Sequence, residues 1–157
     1  MHEWAFYHYK IRKVDRKEDV VKEKPNTSSL MMYQMVFPSQ TNHYGTLFGG
    51  EALSIMDKAA FIVASRFTRR NMVTVSSDKT NFKSPIKTGQ LIEVIAKIKE
   101  VGNTSVKVLV DLVGEDLRTG DRSLCSSGYF SMVALDDFGK PTTITAKLKN
   151  EDSVSIG

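Results

Sequence analysis

The sequence predicts an α+β domain in which one long helix covers a five-stranded antiparallel sheet. Three observations predict it. A stretch with helical spacing of apolar residues opens at Gly49-Gly50. Four stretches alternating apolar and polar residues follow it, separated by turn residues, and one short apolar run precedes it, stopped by Pro38. A sheet with a single helix has one face to cover and one element to do it with, which is the α+β arrangement.

Leu30 to Phe37 is the first strand, ended by a proline that cannot donate to a ladder. Ser39 to Phe48 is a polar loop carrying Asn42, His43 and Gly45. The helix runs from Gly49-Gly50 to about Phe67. At about 100° per residue, Leu53, Met56, Ala60, Val63 and Phe67 share a face, with Glu51, Ser54, Lys58 and Ser65 opposite. Four strands then follow in hairpin succession. Met72 to Phe82 leads through Ser84-Pro85 and a Lys87-Thr88-Gly89 turn into Leu91 to Val101, where Ile92, Val94, Ala96 and Ile98 alternate with Glu93, Lys97 and Lys99. Gly102-Asn103 turns the chain into Ser105 to Val113, with Val106, Val108, Val110 and Leu112 on one face. Ser123 to Leu135 is the last strand. One helix leaves an edge or a face of such a sheet unfinished, so an oligomer is expected.

The 157 residues suit one domain, which the sequence places at 25–146, between an N-terminal extension (1–24) and a polar tail (147–157). The extension holds Trp4, Phe6, Tyr7 and Tyr9, then a dense charge mix. Its beginning has no apolar core of a signal peptide, and the single cysteine, Cys125, excludes an internal disulfide framework. A cytoplasmic protein is expected. The net charge of +4 is spread along the chain without a basic stripe, which argues against nucleic acid, and no apolar run reaches a membrane span. A mild positive excess suits a polyanionic small molecule; an ordinary solvated surface explains it as well.

Asp57 is the most informative side chain. The wheel sets it among Leu53, Phe61 and Ala64, at the edge of the apolar face. A carboxylate there is either half-buried with a partner or raised in pKa by desolvation, and either state serves a general base; a solvent-reaching Asp beside Lys58 is the plain alternative. Gly49 and Gly50 offer amides without intrahelical partners at the positive end of a helix, the geometry that an oxyanion needs, although glycine pairs at helix starts are common. Asn42 can hold a water or a carbonyl oxygen. His43 is a candidate acid or base, or simply a loop histidine. There is no G-x-S-x-G elbow, no indicated Cys–His pair, and His2, His8 and His43 lack metal-ligand spacing. Water activated by Asp57 is the economical chemistry.

The blocks Pro38-Ser39-Gln40-Thr41-Asn42-His43-Tyr44-Gly45-Thr46-Leu47-Phe48-Gly49-Gly50 and Leu53-Ser54-Ile55-Met56-Asp57 resemble the acyl-CoA thioesterase branch of the hot-dog superfamily. So do Asn81-Phe82-Lys83-Ser84-Pro85-Ile86-Lys87-Thr88-Gly89 and Gly102-Asn103-Thr104-Ser105; the match runs from about residue 30 to 142. The resemblance implies a hot-dog fold, with the helix wrapped by the sheet. It implies dimers as the minimal unit, assembled into trimers of dimers, with each site shared by Asn42 of one protomer and Asp57 of the other. Gly50, with Gly49, is the implied oxyanion donor. The implied substrate contacts are His43, Asn81, Phe82, Lys83, Ser84, Pro85, Gly102, Thr104 and Ser105. The substrate is acyl-CoA, hydrolysed to fatty acid and CoA; coenzyme A is part of that substrate, and no separate cofactor or metal is expected.

Two other readings compete. A non-catalytic acyl-CoA sensor has no need of Asp57 and wants a DNA-binding segment that 24 residues cannot build. A hot-dog dehydratase wants a His paired with an acid, for which His43 is the candidate.

Overall fold

A computed structural model describes residues 27–149. The predicted extension at 1–24, with its four aromatic residues, and the tail beyond residue 149 lie outside the described residues. The elements are β1 (Ser29–Met35), a short 3-10 turn (Pro38–Gln40), α1 (Gly49–Thr68), β2 (Asn71–Phe82), β3 (Leu91–Val101), β4 (Ser105–Glu115) and β5 (Arg122–Leu135). They form one sheet in the order β1-β3-β4-β5-β2, antiparallel throughout. This is the hot-dog arrangement.

The expected hairpin succession holds only from β3 to β5. β2 pairs with β5, not with β3, and lies at the far edge of the sheet. The reason lies in the Lys83–Gln90 connection, which is no tight turn. It crosses to the other side of the sheet and is stitched to the loop before the helix, with the Leu47 amide on the Ile86 carbonyl at 2.8 Å and the Thr88 amide on the Gly45 carbonyl at 3.0 Å. Ile86 is buried beneath it.

The predicted alternation is what packs the core. Ile92, Val94, Ala96 and Ile98 of β3 and Val106, Val108, Val110 and Leu112 of β4 are all buried against α1. Cys125 is among the buried residues, as a small core side chain. The helix contributes Ile55, Met56, Val63 and Phe67, each worth about 1.5–3 kcal/mol on burial. Ala52, Ala59, Ala60 and Ala64 let its backbone lie close to the sheet. The buried arc centres nearer Met56 and Val63 than the wheel suggested. Leu53 falls at its margin and shares that flank with Asp57 and exposed Phe61.

β2 shows the unfinished edge. Among the described residues its outer side pairs with nothing, and Val73 and Val75 are exposed. Glu93, on the sheet's outer face, is buried nonetheless, capped by an ion pair with Arg122 and by the Tyr33 hydroxyl at 3.4 Å.

Candidate functional site

Strand directions sort the functional segments between the two ends of the sheet. At one end lie the C-terminus of β1, the start of α1 and the end of β2. The loop between β1 and α1 closes on Asn42. Its Oδ1 accepts from the Tyr44 amide (3.0 Å), the Thr46 amide (3.2 Å) and the Thr46 hydroxyl (3.1 Å). Gly45, at φ +73°, completes the turn where a side chain would be strained. With its oxygen saturated inside the loop, Asn42 has its amide Nδ2 left to offer, and that is a donor.

The loop delivers the chain to Phe48, whose extended backbone and lack of a side-chain cap leave the Gly49 and Gly50 amides without intrahelical partners. A side chain at Gly50 would meet nothing within 4 Å in its own chain, and one at Gly49 would meet only the Phe82 ring, at 3.8 Å. Two open donors thus stand at a positive helix end with space before them.

Asp57 is eight residues further along α1, about 12 Å from Gly49. It is half-buried with a partner, and the partner is Thr74 of β2, not Lys58. The Thr74 hydroxyl donates to Asp57 Oδ1 at 2.6 Å. Oδ2 has no hydrogen-bond partner among the described residues. Thr74 was not singled out from sequence. Its signal was a hydroxyl two residues after buried Met72, hence on the same face of β2, where a polar side chain needs a reason.

The remaining candidates divide. Gly49, Phe82, Lys83, Ser84 and Pro85 border one groove of about 320 Å³. The Lys83 and Ser84 amides donate to the Cys125 carbonyl, and the Ser84 hydroxyl donates to Cys125 Sγ at 3.3 Å, so Ser84 is engaged in holding the segment. Asn81 likewise donates to the Lys79 carbonyl across a kink in β2. Gly102, Thr104 and Ser105 lie at the opposite end of the sheet. Ser105 pairs with Val133 and Phe82 with Ser126, seven residues apart on β5, about 23 Å. The Gly102 amide donates to the Ser105 carbonyl, and the Thr104 carbonyl accepts from Ala134. No single protomer brings Gly102–Ser105 to Asn81–Pro85. Lys97 and Lys99 are exposed along β3, between these two ends of the sheet. His43 is exposed, its ring tilted by 39° against that of Tyr44 at 3.9 Å between centroids.

Residues 44–120 match the model of the Thioesterase superfamily. An uncharacterised acyl-CoA thioester hydrolase of Bacillus subtilis is 38% identical over 117 residues, covering 74% of this chain and 68% of the relative. The mouse cytosolic acyl coenzyme A thioester hydrolase is 32% identical over 86% of this chain, which spans 37% of that longer protein. Among solved structures, an acyl-CoA hydrolase of Staphylococcus aureus with butyryl coenzyme A and coenzyme A superposes with a TM-score of 0.75 at 33% identity, covering 80% of this chain and 77% of that one. A hexameric acyl-CoA thioesterase gives the same TM-score at 33% identity, over 80% and 81%. The staphylococcal enzyme has also been solved with alanine in place of an asparagine, an aspartate and a threonine. Those three positions are separated by fifteen and seventeen residues, the spacing of Asn42, Asp57 and Thr74 in this chain.

Proposed function

The chain belongs to the acyl-CoA thioester hydrolases of the thioesterase superfamily, and from that membership we propose a reaction in which Asp57 activates water against the thioester of a fatty acyl-CoA. The observation that carries it is the Thr74 hydrogen bond, which holds Oδ1 of Asp57 and leaves Oδ2 to take a proton.

In the proposed step, Asp57 Oδ2 accepts a proton from water as the water oxygen attacks the carbonyl carbon. The carbonyl oxygen becomes an oxyanion, received by the Gly50 amide with the Gly49 amide beside it. Asn42 Nδ2 orients the water or the carbonyl. The intermediate collapses with cleavage of the carbon–sulfur bond, and the proton on Asp57 passes to the departing CoA sulfur. Fatty acid and CoA leave, and no separate cofactor takes part.

Asn42 precedes the helix and Asp57 lies two turns into it, and no hydrogen bond joins them within one chain. We therefore read the site as shared, Asn42 and Gly50 from one protomer meeting Asp57 and Thr74 of the other. The bare edge of β2 is the surface that a second copy would extend, and trimers of such dimers would match the hexameric relative. The same pairing could bring the Gly102–Ser105 turn of one chain toward Asn81–Pro85 of the other. The resemblance to the mouse cytosolic acyl coenzyme A thioester hydrolase supports a cytoplasmic location; among the described residues no helix is long and apolar enough to cross a membrane.

The test is thiol release from acyl-CoA thioesters by the purified protein, over chain lengths from two to sixteen carbons. Binding of acyl-CoA without release of CoA would favour a sensor. A dehydratase has less support, because His43 lies against Tyr44 with no acid beside it among the described residues.

A further inference from the structure

We propose that the groove beside the first turn of α1 receives the acyl chain, and that Phe82 and Ser126 set the longest chain it accepts. This rests on the reaction proposed above, since it assumes a thioester carbonyl at Gly50.

The groove lies between α1 and the segment that follows β2, with a volume of about 320 Å³. Ala52, Ile86 and Ser126 line its depth and are 4%, 4% and 2% exposed, while Phe82, 55% exposed, stands at its rim. The groove borders the same helical turn that offers the amides: Gly49 lines it, and the Phe82 ring lies 3.8 Å from the point where a side chain at Gly49 would begin. A carbonyl held at this turn can direct one of its two arms along this wall.

The chemistry of the arms decides which. The sulfur arm ends in a charged nucleotide that stays in water, whereas the acyl arm is hydrocarbon and gains by leaving water. A groove that deepens among Leu47, Ala52 and Ile86 suits the hydrocarbon. A groove of about 320 Å³ has room for several methylenes. Ser126 is small and sits at the depth; a larger residue there shortens the space. Phe82 overhangs the mouth, and its removal widens it.

The measurement is kcat/KM for butanoyl-CoA and decanoyl-CoA, taken as a ratio within each protein so that any general loss of activity cancels. Ser126→Leu is expected to lower the decanoyl-to-butanoyl ratio by about tenfold or more, the usual penalty for misfitted methylenes in an apolar pocket. Phe82→Ala is expected to shift the profile toward longer chains. Phe82 is exposed and its replacement leaves the core untouched, so it decides the matter should Ser126→Leu fail to fold. A ratio that moves in the stated direction in a folded variant supports the assignment; ratios that stay put, or move the other way, overturn it. A wild-type protein that releases no thiol at any chain length overturns the parent reaction and this inference with it. Turnover with an unmoved profile overturns this inference alone.

Discussion

The hydroxyl of Thr74 donates a 2.6 Å hydrogen bond to Asp57 Oδ1, joining the middle of the helix to the edge strand of the sheet. The bond fixes the carboxylate's rotation and aims its second oxygen. It therefore assigns different roles to its two ends. In the proposed reaction Asp57 moves the proton, and Thr74 positions the group that does.

Asp57→Ala should lower kcat for acyl-CoA by about 10² to 10⁴, the range for losing a general base, with the fold kept because the side chain lies at the helix margin. Thr74→Ala should lower it less, and Thr74→Ser should restore most of the loss, since serine keeps the donor. Circular dichroism with thiol-release kinetics reads both. Folded Asp57→Ala with near-wild-type turnover would remove Asp57 from the mechanism.

If Asn42 and Asp57 act across a protomer boundary, two inactive proteins should complement each other. Asn42→Ala protomers mixed with Asp57→Ala protomers place both lesions in one site of each mixed dimer and leave the other site intact. Activity should then recover toward the level expected from the fraction of mixed dimers. Mixed dimers shown to form, yet as inactive as either parent, would mean that each site is built within one chain.

Gly50 is a separable donor. Gly50→Ala retains the amide, and its methyl group meets nothing within 4 Å in its own chain. Gly50→Pro removes the amide at a first-turn position where proline is tolerated. Loss of one oxyanion donor lowers kcat by about 10² to 10³. The proline variant should show that loss and the alanine variant should not. Equal activity in two folded variants would place the oxyanion elsewhere.

Much of this was legible in the chain, and the exceptions share a cause. Alternation in β3 and β4 gave the buried set correctly because each strand has neighbours on both sides, so one face is fully covered. Asp57 stands out as a candidate because a carboxylate lies at the edge of a periodic apolar face. Thr74 shows in the sequence only as a hydroxyl on the Met72 face; that it pairs with Asp57 does not show, because pairing across seventeen residues depends on where β2 crosses the helix. The place of β2 is hidden for the same reason: local turn chemistry at Ser84–Gly89 does not reveal that the connection crosses the sheet. Glu93 read as an outward polar residue, which its face confirms, yet Arg122 from β5 buries it. Sequence reported the face; tertiary contacts decided the exposure.

The Glu93–Arg122 pair yields a stability prediction. Glu93 is 4% exposed, so removing its partner strands a charge in a covered site, whereas neutralising Glu93 removes the charge that needs pairing. Arg122→Ala should lower unfolding free energy by about 3 kcal/mol, the lower end for breaking such pairs, because the arginine is itself half-exposed. Glu93→Gln should cost less, keeping a contact for the Tyr33 hydroxyl. Urea unfolding of both variants checks the order, and a larger loss in Glu93→Gln would contradict it.

The last prediction concerns the nucleotide end of the substrate. CoA carries several phosphate charges, and the chain presents exposed lysines in two places, Lys83 and Lys87 in the segment after β2 and Lys97 and Lys99 along β3. A second protomer could bring the two sets to one ligand. Contacts between phosphates and exposed lysines are screened over about 8–10 Å at ordinary salt. The KM for acyl-CoA should therefore rise with ionic strength, while the KM for a pantetheine thioester that lacks the nucleotide should hardly move. Lys99→Ala, on β3 and outside the acyl groove, should flatten the salt dependence more than it lowers kcat, because its charge acts on binding and not on the bond that breaks. Equal salt sensitivity for the two substrates, or none for either, would reduce these lysines to solvated surface residues. Such a result would leave the proposed roles of Asp57 and Thr74 standing, since the phosphates lie far along the substrate from the thioester.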